Sequence, residues 1–573
     1  MRYHVLACDY DGTLAHDGRL DDETAEALRR LRATGRRVVL VTGRILEDLQ
    51  RVCPALELFD LVVAENGAVL YTPATRASTP LAGPPSPAFV DALRLRGVRD
   101  LGVGQVVVAT RQPHAQTVLE VIRELGLELQ VIFNKGAVMV LPSGLNKATG
   151  LLAALALLRL SPHNAVAVGD AENDHAMLAA CECGAAVANA LPALREHADL
   201  VTTGDHGAGV AELCERLRAT DLAELAPRLA RHDPPLGREV GTDAEVTLPS
   251  FGGALLVAGT SGGGKSTAVT GLAERFAERG YQVVIIDPEG DYTADERGVV
   301  LGEARRPPTV EEITQALARP DLDVVVNLFG QTLDSRPAFF AALLPHLLEL
   351  RARTGRPHWI IVDEAHHLMP RDADGGAPAP DMSGFVLVTV HPEQVARSVI
   401  AAIDRIMVMG RTPSQAIAAF AAAGGDAAPP VDDGPLEAGE AYLWRRGDEA
   451  PPRRIRPARS QAERKRHTRK YADGELGPDK SFYFRGADGR LNLRAQNLRL
   501  FLQMGEGVDA ATWFHHLRQR DFSTWAREAI KDEPLAWELA AIEADAASDG
   551  DPAASRAAVR QAVERRYTLP ADA

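Results

Sequence analysis

The sequence predicts two α/β units in series, followed by a small all-α unit. Three observations carry that expectation. In the first 218 residues, short apolar runs (Val5-Leu6-Ala7, Val38-Val39-Leu40-Val41, Ala165-Val166-Ala167-Val168) alternate with stretches of helical spacing, as buried parallel strands joined by helices do. The alternation restarts at Leu255-Leu256-Val257-Ala258 and continues to Ile403-Asp404-Arg405-Ile406-Met407-Val408-Met409. From residue 481 onward the apolar spacing is helical.

Length and composition bound the rest. A chain of 573 residues has room for roughly three or four domains of ordinary size. Hydrophobic residues at 46% and charged residues at 25% support large cores in a water-soluble chain. A net charge of −15 argues against a protein that coats nucleic acid along its whole surface, while leaving room for a local basic patch. The five cysteines, Cys8, Cys53, Cys181, Cys183 and Cys214, are an odd, scattered set, which reads as reduced thiols rather than a disulfide framework. No signal peptide or membrane span is expected, and a cytoplasmic location follows as the default.

The first unit is expected over 1–218. Strand Val5-Leu6-Ala7 leads into Cys8-Asp9-Tyr10-Asp11-Gly12-Thr13, so two carboxylates sit at a strand's C-terminal end, where open α/β sheets place ligands. A helix over Glu23–Ala33 ends at Gly35. The next strand ends in Thr42-Gly43-Arg44, a hydroxyl and glycine suited to a phosphate contact. Leu61-Val62-Val63-Ala64 runs into Glu65-Asn66-Gly67-Ala68. A Pro- and Ser-rich stretch, 72–87, precedes alternating helices and strands over about 84–142, among them strand Val106-Val107-Val108 and a helix from His114 to Leu125. Arg111, His114 and Lys135 there are candidate contacts for an anion, with surface exposure as the plainer reading. Asn146-Lys147 opens a helix, and strand Ala165–Val168 ends in Gly169-Asp170-Ala171-Glu172-Asn173-Asp174.

These four segments, in this order and each after a strand or opening a helix, resemble the motifs of the haloacid-dehalogenase superfamily, in its Cof-like, type IIB branch. The resemblance implies a Rossmann-like domain with a small α+β cap at about 84–142. It also implies a phosphatase. Asp9 would attack phosphorus, Asp11 would protonate the leaving oxygen and then activate water, Thr42 would hold a phosphate oxygen, and Lys147 would offset the transferring charge. Magnesium would be held by Asp9, the carbonyl of Asp11 and Asp170, with Asn173 and Asp174 ordering the shell. The implied substrate is a small phosphate monoester of the phosphosugar kind.

Residues 219–244 are polar with prolines at 227, 234 and 235 and read as a linker. The second unit is expected over 245–450. Strand Leu255–Ala258 feeds Gly259-Thr260-Ser261-Gly262-Gly263-Gly264-Lys265-Ser266-Thr267, with a helix from Ala268 to Arg279 behind it. This is the P-loop pattern GxxxxGK[ST] in its proper strand–helix context, and it implies ATP. Gly259, Gly262 and Gly264 free the backbone to wrap phosphates, Lys265 reaches the β and γ phosphates, and Ser266, with Thr267 beside it, serves magnesium. Further on, Trp359-Ile360-Ile361-Val362 ends in Asp363-Glu364, the first acid suited to magnesium through water and the second to polarising the attacking water. The run Ile286-Asp287-Pro288-Glu289-Gly290-Asp291-Tyr292 together with Ile361-Val362-Asp363-Glu364-Ala365-His366 resembles the HerA/FtsK-like ATPases. That resemblance implies ATP turnover and a homo-oligomer through this domain, with Arg397, Arg405 and Arg411 as candidate fingers. It departs from HerA in lacking an amino-terminal barrel.

Residues 445–470 hold eleven Lys or Arg against three acids, and 451–480 reads as a basic linker. The helical unit is expected over 481–573, with Trp513, Trp525 and Trp537 as core anchors. The leading expectation is a magnesium phosphatase fused to an ATPase of regulatory or motor role. One alternative is a nucleic-acid-linked translocase or defence protein with an accessory phosphatase, nucleic acid being the less favoured partner. Another is a kinase–phosphatase of the end-healing type, against which the Asp363-Glu364 pair speaks.

Overall fold

The computed structural model describes residues 1–134, 136–260, 263–292, 294, 297–303, 305–373, 381–410, 412–431, 436–437, 439–460, 476–477, 480–486, 491–530, 532–546 and 551–567. Its first sheet has eight strands, and the short apolar runs form its central strands, which are buried on both faces. Strands β1 (Val5–Asp9), β2 (Arg37–Val41), β3 (Leu61–Ala64), β4 (Val69–Thr72) and β5 (Ala77–Pro80) form one side. A separate antiparallel sheet follows, made of β6 (Gly102–Val103), β7 (Val108–Arg111), β8 (Leu129–Asn134) and β9 (Ala137–Pro142) in the order β6-β7-β9-β8. Strands β10 (Ala165–Gly169), β11 (Cys183–Ala186) and β12 (Leu200–Val201) complete the first sheet, whose order is β12-β11-β10-β1-β2-β3-β4-β5. Parallel pairing sets Asp9 beside Val41 and Cys8 beside Val168, so the ends of β1, β2 and β10 meet at one edge.

The small sheet carries helices Pro87–Leu95 and Ala115–Glu124 and has its own core of Phe89, Leu93, Val118, Val121, Val138 and Val140. Of the run Val106–Val108, the strand begins only at Val108. Val106 and Val107 are instead drawn into a loop whose backbone N–H groups are taken by Glu65.

The second sheet has eleven strands: β13 (Pro235–Glu239), β14 (Glu245–Thr247), β15 (Leu255–Gly259), β16 (Val283–Asp287), β17 (Gly298–Leu301), β18 (Asp323–Asn327), β19 (Trp359–Val362), β20 (Phe385–Thr389), β21 (Arg405–Met409), β22 (Ala441–Arg445) and β23 (Arg453–Pro457). The parallel part runs β21-β15-β20-β19-β16-β18-β17, and β22, β23, β13 and β14 extend it with antiparallel pairing. Two stretches that read as linkers therefore build this edge. In Arg453-Arg454-Ile455-Arg456-Pro457 only Ile455 is buried, and such a one-sided strand looks like a polar connector in sequence. In 219–244, Leu222, Leu225 and Leu229 pack on the first core before β13 joins the second sheet.

The C-terminal part is helical, with helices Leu498–Gly507, Ala510–Gln519, Asp521–Glu528, Glu533–Ala546 and Pro552–Tyr567, plus a hairpin of β24 (Phe482–Phe484) and β25 (Leu493–Ala495). Trp513 and Trp525 are buried core anchors, as expected, but Trp537 is 64% exposed. Helix Glu533–Ala546 turns Leu535 and Leu539 inward, and residue 537 falls about 200° round the helix from each. The five cysteines are unpaired and buried, and no described helix is long and apolar enough to cross a membrane.

The two large sheets meet at the N-terminal ends of their strands. His163 Nε2 lies 2.7 Å from the carbonyl of Arg279, His358 Nε2 lies 3.1 Å from Asn164 Oδ1, and Arg356 donates to the carbonyl of Arg159 at 2.6 Å. Glu182, fully buried, accepts from Ser250 at 3.0 Å, pairs with His163 at 2.7 Å and forms an ion pair with Arg2. These residues precede β10, β11, β16 and β19, so the C-terminal strand ends of the two sheets point away from each other.

Candidate active sites

In the first unit, β1 delivers Asp9, β10 delivers Asp170, and the turn after β10 delivers Asp174. Carboxylate oxygens of these three buried acids lie within 4.8 Å of one another. Lys147 reaches them from the first turn of helix Lys147–Leu158, which is started by the Asn146 cap and its reciprocal bonds with Thr149. Its Nζ donates to Asp9 Oδ1 at 2.5 Å and Asp174 Oδ1 at 2.6 Å. Burial works to lower the pKa of this lysine, but Asp174 and Asp9 outweigh it and hold the ammonium charged. Burial pushes the Asp9 pKa up to about 7; Lys147 opposes the rise and Asp174 adds to it. Asp174 is locked by N–H groups of Asp170 and Ala171, both at 3.0 Å, and Thr13 donates to Asp170 at 3.3 Å. Three carboxylates around one ammonium leave excess negative charge in a buried, all-oxygen donor set, which suits a hard divalent cation such as magnesium.

Asp11 stands apart from this trio. Its carboxylate faces Arg44, which donates two bonds of 2.7 Å, and Arg44 also reaches Asp48 at 2.7 Å. The side chain of Asp11 remains 42% exposed. Thr42 is buried at the end of β2, where its hydroxyl accepts from the Arg44 N–H at 3.2 Å.

Sequence reasoning singled out the turn Glu65-Asn66-Gly67 but gave Glu65 and Asn66 no role. Both residues have positive φ, 54° and 55°, which costs a non-glycine residue energy and marks a position held by its surroundings. Their N–H groups are fixed by the carbonyls of Arg44 and Thr42, both at 2.9 Å. The Glu65 carboxylate accepts from the N–H groups of Gln105, Val106 and Val107 at 2.8–2.9 Å and so ties the small sheet to the catalytic edge. Asn66 accepts from Asn173 at 3.0 Å. Gly67 packs so closely on Asn146 that a Cβ would lie 1.9 Å from its carbonyl oxygen. A run of Glu-Asn-Gly after a strand was the available signal. On the small sheet, Met139 lies against Gly43, Arg111 is exposed, and His114 accepts from the Arg99 N–H at 3.2 Å; Lys135 lies outside the described residues.

In the second unit, β15 ends at Gly259 (φ +150°), where a Cβ would lie 2.0 Å from the Met409 carbonyl oxygen, so only glycine fits. Gly264, also at positive φ, precedes helix Lys265–Glu278, which carries Ser266 and Thr267 in its first turn. Lys265 donates to the carbonyls of Gly259 and Thr260 at 2.9 and 3.0 Å. Gly262 lies outside the described residues, as does Arg411. Asp363 and Glu364 follow β19, and parallel pairing with β16 puts Asp287 at the same edge. Burial, with Glu364 and Asp287 adding, holds the Asp363 pKa well above the usual carboxylate range. Glu364 sits in the left-handed region (φ 42°), 3.5 Å from His366 Nδ1, which in turn lies 3.0 Å from Thr389 Oγ1. Arg397 is exposed and Arg405 pairs with Asp404. Residues 461–475 of the basic run lie outside the described residues.

Residues 6–80 and 99–213 match the family described as haloacid dehalogenase-like hydrolase, and residues 244–333 match the family described as Helicase HerA, central domain. The phosphoglycolate phosphatase of Methanothermobacter thermautotrophicus is 34% identical over 222 residues, 37% of this chain and 97% of that protein. A protein of the same name from Haloarcula marismortui is 36% identical over 217 residues, 36% of this chain and 94% of that protein. Among solved structures, a haloacid dehalogenase-like hydrolase from Bacteroides thetaiotaomicron is 20% identical, covers 38% of this chain and 99% of that chain, and has a TM-score of 0.33.

Proposed function

Through its amino-terminal third this chain belongs to the haloacid dehalogenase-like hydrolases, and from that premise we propose a magnesium-dependent phosphatase joined to an ATP-hydrolysing unit. The observation that carries the reading is Asp9, a buried carboxylate held by a charged lysine beside two further acids. Asp9 attacks the phosphorus of a small phosphate monoester and becomes an aspartyl-phosphate as the ester oxygen leaves. Asp11 gives that oxygen a proton and then takes one from the water that attacks the same phosphorus, releasing phosphate and restoring Asp9. Lys147 and the Thr42 hydroxyl steady the phosphoryl oxygens. Magnesium, held by Asp9, Asp170 and the Asp11 carbonyl with Asp174 ordering them, would supply a Lewis acid for the transferring group. The small sheet covers the site, shuts out bulk water and selects the ester.

In the second unit the P-loop would hold the ATP phosphates through Lys265, Ser266 and backbone N–H groups. Glu364, beside Asp363, would activate the hydrolytic water. A regulatory or motor role for this unit follows the HerA likeness of residues 244–333. A phosphosugar is the substrate we favour; a second reading, a small phosphorylated acid of the phosphoglycolate kind, is favoured by the name the relatives carry. The test is a screen of phosphorylated metabolites and short oligonucleotides, run with and without ATP and with magnesium added or chelated. Release of phosphate from small esters, dependent on magnesium, is expected. Activity confined to oligonucleotide ends, or transfer of phosphate from ATP to a hydroxyl, would replace this reading with the nucleic-acid or kinase alternative.

A further inference from the structure

Where the two sheets meet lies a cavity of about 320 Å³, a volume at the lower end of small-molecule sites. Its walls come from both units: Arg2, His163, Asn164 and Glu182 from the first, and Tyr281, Arg351 and His358 among those from the second. Neither catalytic edge contributes to it, because these residues precede the strands whose far ends carry the chemistry.

The two wall arginines are placed differently. Arg2 is matched by Glu182. Arg351 donates to the carbonyls of Pro357 at 2.9 Å, Ser383 at 2.6 Å and His358 at 3.3 Å, and stacks over Phe385, but among the described residues no carboxylate lies within ion-pair distance of it. Asp381, a wall acid that acts on it, accepts hydrogen bonds from the backbone N–H and hydroxyl of Ser383. Burial lowers the pKa of Arg351 to about 10, which still leaves it charged at neutral pH. His358 is held neutral by burial and by His163 and the neighbouring arginines. Arg351 is only partly exposed, and an anion seated against its guanidinium offsets the hydration lost. Arg351 is thus the wall arginine without a carboxylate at ion-pair distance, and with Glu182 and Asp381 close by it suits a single negative charge better than a doubly charged phosphate. Two aromatic rings also line it: the Tyr281 ring stacks on His163 with centroids 3.8 Å apart, and the Phe251 ring lies under Arg2 at 4.5 Å.

We propose that this cavity binds a small planar monocarboxylate, its carboxylate on Arg351 and its flat body between the two units. Bound there, such a ligand touches the phosphatase unit and the ATPase unit at once and holds them together.

Benzoate is the probe and benzamide its uncharged isostere, each titrated into the full-length protein by ligand-observed NMR. Benzoate is expected to bind at least tenfold more tightly than benzamide and to raise the midpoint of thermal unfolding, which benzamide at equal concentration leaves in place. Arg351→Met is expected to bring the two affinities within about twofold. Ala352→Phe, which fills the cavity from a wall position and leaves Arg351 intact, is expected to abolish binding of both and serves if the arginine variant does not fold. Equal affinities in the wild type, or benzoate binding that survives both substitutions, would overturn the assignment. Neither readout depends on turnover at the catalytic sites, so the result stands apart from the fate of the proposed function.

Discussion

Replacing Asp9 by Asn removes the nucleophile while keeping its shape. Loss of a covalent nucleophile costs on the order of 10⁴-fold or more in turnover, so ester hydrolysis is expected to fall to background. The effect on the ATP site can be worked from the architecture. The two catalytic edges lie at opposite ends of five-residue strands, β10 and β16, packed end to end through His163, Tyr281 and their neighbours. At about 3.3 Å per residue the sites are roughly 33 Å apart or more. A unit charge acts over that distance with about 0.1 kcal/mol in water, before salt screening over a Debye length of about 8 Å removes most of it. ATP hydrolysis by Asp9→Asn is therefore expected within about 1.5-fold of wild type. Phosphate release from the ester and ADP release from ATP, measured on the same preparation, decide it. A matching loss of both activities would refute the separation of the sites, and with it the reading of two independent chemistries.

Other expectations follow from single contacts. Glu65→Gln turns an amide toward three backbone donors, so exchange of the amide hydrogens at 105–107 should speed up at least tenfold and KM for the ester should rise by about tenfold, with kcat changed less. Burial would raise the Glu182 pKa, but His163 and Arg2 pull it from 4.5 to about 2. Stability from this group is thus complete above pH 4.5 and is lost as pH falls toward 2, an effect of about 3 kcal/mol. Thermal melts across that window should drop for wild type and run flatter for Glu182→Gln, whose melt at neutral pH should already be lower. Glu364→Gln should cut ATP hydrolysis by about 10²-fold or more while a fluorescent ATP analogue still binds.

The acid cluster of the first unit was legible because its sequence signals are local. Asp9, Thr42 and Asp170 each close an apolar run, Asp11 and Asp174 follow within a few residues, and Lys147 opens a helix that Asn146 caps. What they do to one another was less so. The Arg44–Asp11 pair spans 33 residues, the Glu65 clasp on 105–107 spans about 40, and Arg2–Glu182 spans 180. No periodicity announces such partners. Strands β13 and β23 were hidden for a different reason: strands with one buried side chain look like polar connectors. Trp537 shows the opposite error, since a large aromatic at regular spacing implies burial only when its helical phase faces the core.

The central claim is that Asp9 carries the phosphoryl group during turnover. Acid quench of the working enzyme, followed by borohydride reduction and peptide mass spectrometry, reads this directly, because an aspartyl-phosphate is reduced to homoserine. Homoserine at position 9, present with substrate and absent without it, is the outcome expected here. Unmodified Asp9 under conditions of rapid ester hydrolysis, or homoserine at another acid, would contradict it.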